Sequence, residues 1–289
     1  MSQLDEIPSQ KIVVAWIEHE NKILFHKRNK NPYLGMIGLV GGAVEKNESA
    51  DDAIVREISE ESGLKVKDLE LSGIVEEVHP EKTNFIFVYK VKAEGKIKPN
   101  LVEGEIVIFN SSNNRKPENL IPTDDIIYDR LKNSKINYVL IDVNTANSTI
   151  SASERDFPRK CVLIGNFKQH LPTVTKIAEE FTFHSVEILS PKHGSVINPN
   201  DEFIIFDYDP PSFSERDIQQ LVLMKMESAD FTYLANQDGY IGKSAALEVG
   251  YAYARGLKVY TATKIQDIHS EFVTSVATPN QVVDILYNK

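Results

Sequence analysis

Residues 42–64 read GAVEKNESADDAIVREISEESGL, and this stretch is the most informative part of the sequence. Apolar residues recur at helical spacing over residues 49–62, which predicts an α-helix that ends at the following glycine. Glu57, Glu60 and Glu61 stand at i, i+3 and i+4, so their carboxylates share one helix surface. Three carboxylates this close repel one another, and hard divalent cations such as Mg²⁺ or Mn²⁺ take oxygen ligands. The stretch therefore predicts a divalent metal site.

The alternative interpretation of these glutamates is a solvated acidic helix face. Against it, two glycines, one arginine and four glutamates at fixed offsets have a chance probability on the order of 10⁻⁹ per start position. The segment resembles the Nudix box, and the matching positions are Gly42, Glu48, Arg56, Glu57, Ile58, Ser59, Glu60, Glu61, Ser62, Gly63 and Leu64. The resemblance covers residues 7–141.

The Nudix resemblance implies an α/β/α sandwich with a mixed sheet that hydrolyses a nucleoside diphosphate linked to another group. It implies Mg²⁺ or Mn²⁺ held by Glu57, Glu60 and Glu61, with Glu60 or Glu61 also activating water. By the same resemblance, Glu48 would assist in the metal shell and Arg56 would orient the glutamates by ion pairing. The backbone of the Gly41–Gly42 segment would supply a further metal ligand.

The box does not specify the substrate, which would meet variable loops. Lys27 and Arg28 would either contact a phosphate or form a solvated strand end. Three aromatic residues would either stack on a base or belong to the core, namely Tyr33, Phe85 and Phe87. A glutamate outside the box serves as base in some family members, and the candidates here are Glu103 and Glu105.

Elements around the box are predicted from local patterns. The expected strands are 11–17, 22–26, 84–93 and 106–109, with a hairpin turn at 18–21 between the first two. Residues 123–131 are expected to form a helix. The polar, Ser/Thr/Asn-rich segment 142–159 is predicted to be a linker.

A second domain is predicted over residues 160–289. Its expected strands are 161–164, 186–189, 203–206, 231–234 and 259–261. Its expected helices are 173–181, 214–226 and 244–254. Short strands alternating with helices indicate a Rossmann-like parallel sheet covered on both faces.

A glycine-bearing loop in this domain joins a strand to a helix, as phosphate-binding loops do. The candidate binding residues are Asp230, Asp238, Gly239, Gly242 and Ser244, with Lys243 in support. Glu248, one turn into the helix, could attack a sugar C1′ as a nucleophile. The alternative is that Asp230 forms a turn and that Glu248 is a solvated helix residue.

Residues 238–252 and the strand leading to Gly165 resemble the nucleoside 2-deoxyribosyltransferase-like family. The resemblance implies that Glu248 is the nucleophile and that Asp230 helps to bind the nucleoside. The family often carries a tyrosine in the first strand, and this strand reads CVLI. Tyr208 or Tyr240 would substitute, or the domain would bind nucleotides without cleaving them. Asp207 and Asp209, beside Tyr208, are either further site candidates or turn residues.

Composition narrows the class of protein. The 289 residues carry a net charge of −10, which argues against a nucleic acid polymer as partner. One cysteine excludes an internal disulfide, and neither a signal peptide nor a membrane-spanning run is recognisable. A cytoplasmic enzyme acting on a small nucleotide is expected, and the second resemblance favours a homodimer.

Two activities in sequence form the leading hypothesis. The first domain would release a nucleoside monophosphate, and the second would act on its N-glycosidic bond. The alternatives are a hydrolase with a nucleotide-sensing or dimerising second domain, and a regulator in which the first domain only senses a ligand.

Overall fold

The computed structural model describes residues 9–98, 104–110, 116–133, 135–146 and 149–287. The chain divides into two compact units, Met1–Arg155 and Asp156–Lys289. The glutamate-rich helix belongs to the first unit and the glycine loop to the second. The two candidate sites therefore lie in separate units.

The first unit is a mixed β-sheet with helices packed on it. Over its described residues the strands are β1 (Ser9–His19), β2 (Lys22–Arg28), β3 (Ile37–Gly38), β4 (Val40–Ala43), β5 (Lys65–Val78), β6 (Thr83–Glu94), β7 (Gly104–Asn110), β8 (Asn137–Ala146) and β9 (Thr149–Glu154). The helices are α1 (Ala50–Ser62) and α2 (Pro122–Asn133). These elements confirm the predicted α/β/α class.

The sheet runs in the order β3-β2-β1-β6-β5-β8-β9, with β4 paired to β1 and β7 to β2. β1 is parallel to β6 and antiparallel to β2 and β4, so the sheet is mixed. Val14, Trp16 and Phe25 pack with Ile127 and Tyr128 of α2 in one apolar cluster. The pairing of β4 with β1 places the glycines before α1 in the middle of the sheet.

The second unit is a parallel sheet. Over its described residues the strands are β10 (Lys160–Gly165), β11 (Glu187–Ser190), β12 (Phe231–Ala235), β13 (Lys258–Thr261) and β14 (Ser275–Val276). The helices are α3 (Phe167–Phe183), α4 (Glu215–Glu227), α5 (Lys243–Ala254) and α6 (Pro279–Tyr287). The strand order is β11-β10-β12-β13-β14, with every pair parallel. The prediction of a Rossmann-like parallel sheet is confirmed.

The order of this sheet reverses beside β10. The chain passes from β10 to β11 on one side and returns to β12 on the other. Open α/β sheets bind ligands outside the carboxyl ends of the strands at such a reversal. Gly165 is the last residue of β10, and Asn236 directly follows β12, so both lie at that edge.

The predicted linker 142–159 is wrong for most of its length. β8 extends to Ala146, and β9 pairs with it in antiparallel register as a sheet edge. Residues along β9 alternate between exposed and half-buried, so one side of the strand faces water and tolerates Ser and Thr. The polar residues of this edge strand have the composition of a linker, which is why the sequence predicted one.

The strand predicted over 203–206 is also absent from the structure at those residues. The Asn198 side chain accepts a hydrogen bond from the Ile205 N–H and donates one to the Phe203 carbonyl. These bonds fold the segment into a turn, with an isolated bridge between Val196 and Phe206. Local side-chain bonding has replaced strand pairing here.

Two further observations bear on the chain as a whole. None of the helices in the described part of the chain is long and apolar enough to cross a bilayer. Cys161, on β10, is fully buried, and burial raises the pKa of its thiol.

Candidate functional site

Helix α1 begins and ends where its sequence indicates. Ser49 is the N-cap, and its side chain accepts a hydrogen bond from the Asp52 N–H. Gly63 ends the helix in the left-handed conformation, with φ of 75°. Ile54 and Ile58 are fully buried as the helix packs on β4, β1 and β5. The packing directs the glutamate-bearing side of the last two turns toward β4.

Glu57 lies against the backbone of β4. A Cβ atom on Gly42 would approach the Glu57 Oε1 atom to 2.4 Å, so only glycine leaves room for this carboxylate. Glu57 is 7% exposed, and burial raises the pKa of its carboxyl despite the opposing hydrogen bond from Arg56. Gly42 therefore acts here by making room for Glu57.

Arg56 joins the glutamates into one network. Its Nε and Nη2 atoms donate to the two carboxylate oxygens of Glu48 at 2.9 and 3.0 Å. Its Nη1 atom donates to Glu57 at 2.8 Å and to Glu60 at 3.3 Å. The hydrogen bond to Arg56 lowers the pKa of Glu48, and that to Glu48 raises the pKa of Arg56. The bidentate bond fixes the guanidinium plane and therefore the direction of its remaining donors.

Glu61 is held by two donors from the sheet. Its Oε1 atom lies 2.9 Å from Nδ1 of His26, and its Oε2 atom accepts a hydrogen bond from the Gly41 N–H at 3.2 Å. Glu61 is 6% exposed. Glu60, by contrast, has a side chain that is 62% exposed. The glutamates thus differ in surroundings, with Glu57 and Glu61 buried and Glu60 open to water.

The donor chemistry of this helix fits a hard divalent cation. Glu57, Glu60 and Glu61 carry their carboxylates on one side of α1, and carboxylate oxygen is the ligand type that Mg²⁺ and Mn²⁺ prefer. Within the described residues, no three acidic, histidine or cysteine side chains converge into a ready-made metal cage. Arg56 now contacts two of the three carboxylates, so binding a cation would require it to give up part of these contacts.

Residues proposed to meet the substrate take different positions. Phe85 and Phe87 are buried and belong to the core, whereas Tyr33 is half-buried. Burial, with the nearby acids Glu77 and Asp124, raises the pKa of Tyr33 to about 12. The remaining candidates are the exposed Lys27, the half-buried Arg28, the exposed Glu105, and Glu103, which lies outside the described residues.

A buried polar cluster joins α2 to the sheet beside the segment between β2 and β4. Glu77 accepts hydrogen bonds from the Thr123 hydroxyl and from Asn84 Nδ2, the latter at 2.6 Å. Asp124 accepts one from the Leu39 N–H at 2.8 Å, and burial raises the pKa of Asp124 to about 7. These bonds fix the chain between β2 and β4 to the start of α2.

The second unit places Glu248 near the carboxyl edge of its sheet. Glu248 is 8% exposed, and its Oε1 atom accepts a hydrogen bond from Gln219 Nε2 on α4 at 2.9 Å. Burial raises the pKa of Glu248 to about 7. The interpretation of Glu248 as a solvated helix residue is therefore wrong. Asn236, buried at the same edge, bonds Thr261 through Oδ1, while its Nδ2 atom has no partner among the described residues.

The glycine loop leads from β12 into α5 at this edge. Asp238 Oδ1 accepts a hydrogen bond from the Tyr240 N–H at 3.1 Å, and Gly239 has φ of 78°. Gly242 is the N-cap of α5 and supplies no side-chain cap, while Ser244 is exposed in the first turn. The start of α5 is therefore open to an anionic group.

Asp230 lies at the opposite edge. It precedes β12, and its Oδ2 atom accepts a hydrogen bond from the Lys160 N–H at 2.8 Å. A strand rises about 3.3 Å per residue, so Asp230 and Asn236 are separated by roughly 20 Å. The expectation that Asp230 shares a nucleoside site with Glu248 conflicts with this placement, because β12 runs between the two residues. Their spacing in the sequence did not reveal this.

The tyrosines suggested as substitutes do not contact Glu248 in the described structure. The half-buried Tyr208 stacks on Phe206 and accepts a hydrogen bond from the Lys192 N–H, and Tyr240 is exposed. Asp209 accepts a hydrogen bond from the Phe206 N–H, as a turn residue does, and Asp207 belongs to the same turn. The observed partner of Glu248 is Gln219.

Sequence reasoning missed His26 and Gln219. The two-residue period of a strand offered a signal for His26, because it places His26 on the same face of the sheet as Leu24, and both are buried. Gln219 carried no such signal, because it is one half-buried polar residue on an amphipathic helix.

The first unit is similar to known proteins. Residues 8–128 match the NUDIX domain model. The chain is 50% identical over 58 residues to an ADP-ribose pyrophosphatase from Methanocaldococcus jannaschii, covering 20% of this chain and 34% of that protein. It is 31% identical over 94 residues to the NAD-capped RNA hydrolase NudC from Vibrio parahaemolyticus, covering 32% of this chain and 34% of that protein. The chain thus spans about a third of the length of these curated relatives.

Part of the chain is also similar to a solved structure. The crystal structure of the MutT NUDIX hydrolase from Burkholderia pseudomallei is 25% identical, with a TM-score of 0.38, and the match covers 43% of this chain and 98% of that one. The family model spans both the glutamate helix and the strands that hold it. The N-terminal region of the chain is therefore a Nudix domain.

Proposed function

We propose that the first unit is a divalent-metal-dependent pyrophosphohydrolase that cleaves a nucleoside diphosphate linked to another group and releases a nucleoside monophosphate. The observation that carries the proposal is the complete glutamate set of α1, with Glu57 and Glu61 buried against β4 and oriented by donors. The names of the two relatives, which mention ADP-ribose and NAD-capped RNA, make dinucleotide-like diphosphates the first substrates to test.

The proposed reaction is attack of water on one phosphorus, with cleavage of the bond from that phosphorus to the bridging oxygen. Mg²⁺ or Mn²⁺, when bound by Glu57, Glu60 and Glu61, would neutralise phosphate charge and lower the pKa of water. Glu60 is the proposed acceptor of the proton that water loses, because its carboxylate is open to solvent. Both oxygens of Glu61 already have a partner, the Gly41 N–H at Oε2 and His26 Nδ1 at Oε1, which suits a fixed carboxylate better than a proton acceptor.

The test is product analysis by mass spectrometry with Mg²⁺. The panel contains ADP-ribose, NAD, nucleotide sugars and (d)NTPs, each scored for monophosphate and free base. Monophosphate from the wild type, lost in Glu57→Gln and Glu60→Gln, supports the proposal. Glu70→Gln is the matched control, since Glu70 is a surface glutamate paired with Lys135. Intact substrate throughout the panel would contradict the proposed hydrolase.

For the second unit we propose that a nucleotide binds at the carboxyl edge of its sheet and that Glu248 acts on the N-glycosidic bond. Two buried groups at that edge support a ligand there, the Glu248 carboxyl and the unpaired Asn236 Nδ2. As a nucleophile Glu248 must be ionised, so free-base production should rise with pH through about 7.

Glu248→Gln should abolish free-base production and leave monophosphate production unchanged. The control is Glu179→Gln, which alters an exposed glutamate on α3. If the wild type yields monophosphate but no free base from any substrate, the second unit has a binding role, and the proposed cleavage is wrong.

A further inference from the structure

We infer that His26 is a positioning residue for Glu61, and this inference rests on the hydrolase function proposed above. The two side chains come from different elements, β2 and α1, and meet in the interior of the first unit. His26 Nδ1 lies 2.9 Å from Glu61 Oε1, and both side chains are more than nine-tenths buried.

The direction of this hydrogen bond follows from its partners. A carboxylate that serves as a metal ligand accepts hydrogen bonds, so in this role Glu61 accepts its partner's hydrogen bond from the protonated Nδ1 position of the imidazole. The Gly41 N–H supplies the second donor to the same carboxylate, on Oε2. Glu61 is therefore held at both oxygens, once by a strand backbone and once by a side chain. Two such bonds fix the rotation of a carboxylate that would otherwise turn about its terminal bond.

The neighbouring strand leaves space for the imidazole. Gly104 begins β7, which pairs with β2, and a Cβ atom there would approach His26 Nε2 to 2.2 Å. A larger residue at Gly104 would push the ring away from its present place. The ring position is thus set by backbone packing on one side and by Glu61 on the other.

The consequence for the proposed reaction is preorganisation. A carboxylate that supports a cation or a phosphate must hold its oxygens in place before the substrate arrives, and partners behind such ligands affect affinity or rate about 10–100-fold. His26 supplies this support for Glu61, as Arg56 does for Glu57. The role predicted for His26 is therefore an effect on kcat and on metal affinity, with little effect on KM.

The test compares two variants of equal shape. Asn and Leu are nearly isosteric, and the Asn amide places an N–H donor close to the position of imidazole Nδ1. We expect His26→Leu to lower kcat about 10–100-fold and His26→Asn to retain most of it. Mn²⁺ affinity of the substrate-free protein, measured by electron paramagnetic resonance, should fall about 10-fold or more in His26→Leu only.

The matched control is His19, a second buried histidine of the same sheet. Its Nδ1 atom lies 3.1 Å from the Ala93 carbonyl, and its side chain is as exposed as that of His26, at 8%. We expect His19→Leu to cost similar stability and to leave kcat and Mn²⁺ affinity unchanged. Equal kcat and equal Mn²⁺ affinity in His26→Leu and His26→Asn would overturn the inference.

A spectroscopic measurement covers the case in which His26→Leu does not fold. In the ¹⁵N imidazole spectrum of the wild-type protein, His26 should carry its proton on Nδ1, and Glu61→Gln should shift that resonance and leave His19 unchanged. An unshifted His26 resonance would overturn the inference. If the wild type hydrolyses nothing, the proposed function fails by itself, and Mn²⁺ affinity and the imidazole spectrum still decide the role of His26.

Discussion

Replacing Glu248 with glutamine should stabilise the second unit at alkaline pH. The carboxyl is buried, its described hydrogen bond is to Gln219, and burial raises its pKa from 4.5 to about 7. Glutamine keeps the side-chain length and an oxygen that accepts the bond from Gln219, but it cannot ionise. The variant therefore removes the cost of a buried charge and little else.

The magnitude follows from linkage between protonation and folding. The folded state holds the proton more tightly than the unfolded state, so the carboxyl contributes stability that is complete below pH 4.5. That contribution is lost as pH rises through about 7. A difference of about 2.5 pKa units corresponds to roughly 3 kcal/mol, at 1.36 kcal/mol per unit. Glu248→Gln should therefore exceed the wild type in unfolding free energy by up to roughly 3 kcal/mol at pH 8, and by little at pH 4.5.

The assay is denaturant unfolding of the full chain at pH 5 and pH 8. Circular dichroism reports both units, whereas fluorescence of Trp16, the single tryptophan, reports the first unit. The predicted gain should appear in circular dichroism and be absent from the Trp16 transition. A difference between wild type and variant that is the same at both pH values would refute the reasoning, because it would show that the charge of Glu248 carries no cost.

Three further changes test the rest of the structure. Arg56→Lys loses the bidentate bond to Glu48 and should lower kcat/KM about 10–100-fold with the fold intact, as steady-state kinetics would show. Gly42→Ala places a Cβ atom 2.4 Å from Glu57 Oε1 and should lower kcat while circular dichroism stays unchanged; full activity would contradict the close packing. Asp230→Ala should leave free-base production unchanged, because Asp230 lies at the edge of the sheet away from Glu248, and loss of that product would show otherwise.

The parts of the fold that follow one regular pattern could be predicted from the sequence. The helix α1 shows an apolar stripe, an N-cap and a terminal glycine, and the structure has it over Ala50–Ser62. β5 was missed, because its pairing with β6 shifts register between Val66 and Asp68 and again between Leu71 and Gly73. Each shift breaks the alternation by which a strand is recognised.

The candidate sites show the same division. Glu57, Glu60 and Glu61 could be placed on one helix surface, because their spacing is local. The contact of His26 with Glu61 and the separation of Asp230 from Glu248 depend on which strands pair and in which direction. Such relations are set by tertiary packing and leave no periodic trace in the sequence.

Because Cys161 is buried, the reactivity of its thiol reports local opening of the second unit. An exposed thiolate is the form that attacks thiol reagents, and Cys161 on β10 is fully buried with a raised thiol pKa. As the single cysteine of the chain, it reacts only when β10, an interior strand of that sheet, becomes accessible. The labelling rate of the unmodified protein therefore measures how often the second unit opens, and a ligand that occupies the carboxyl edge should slow it by mass action.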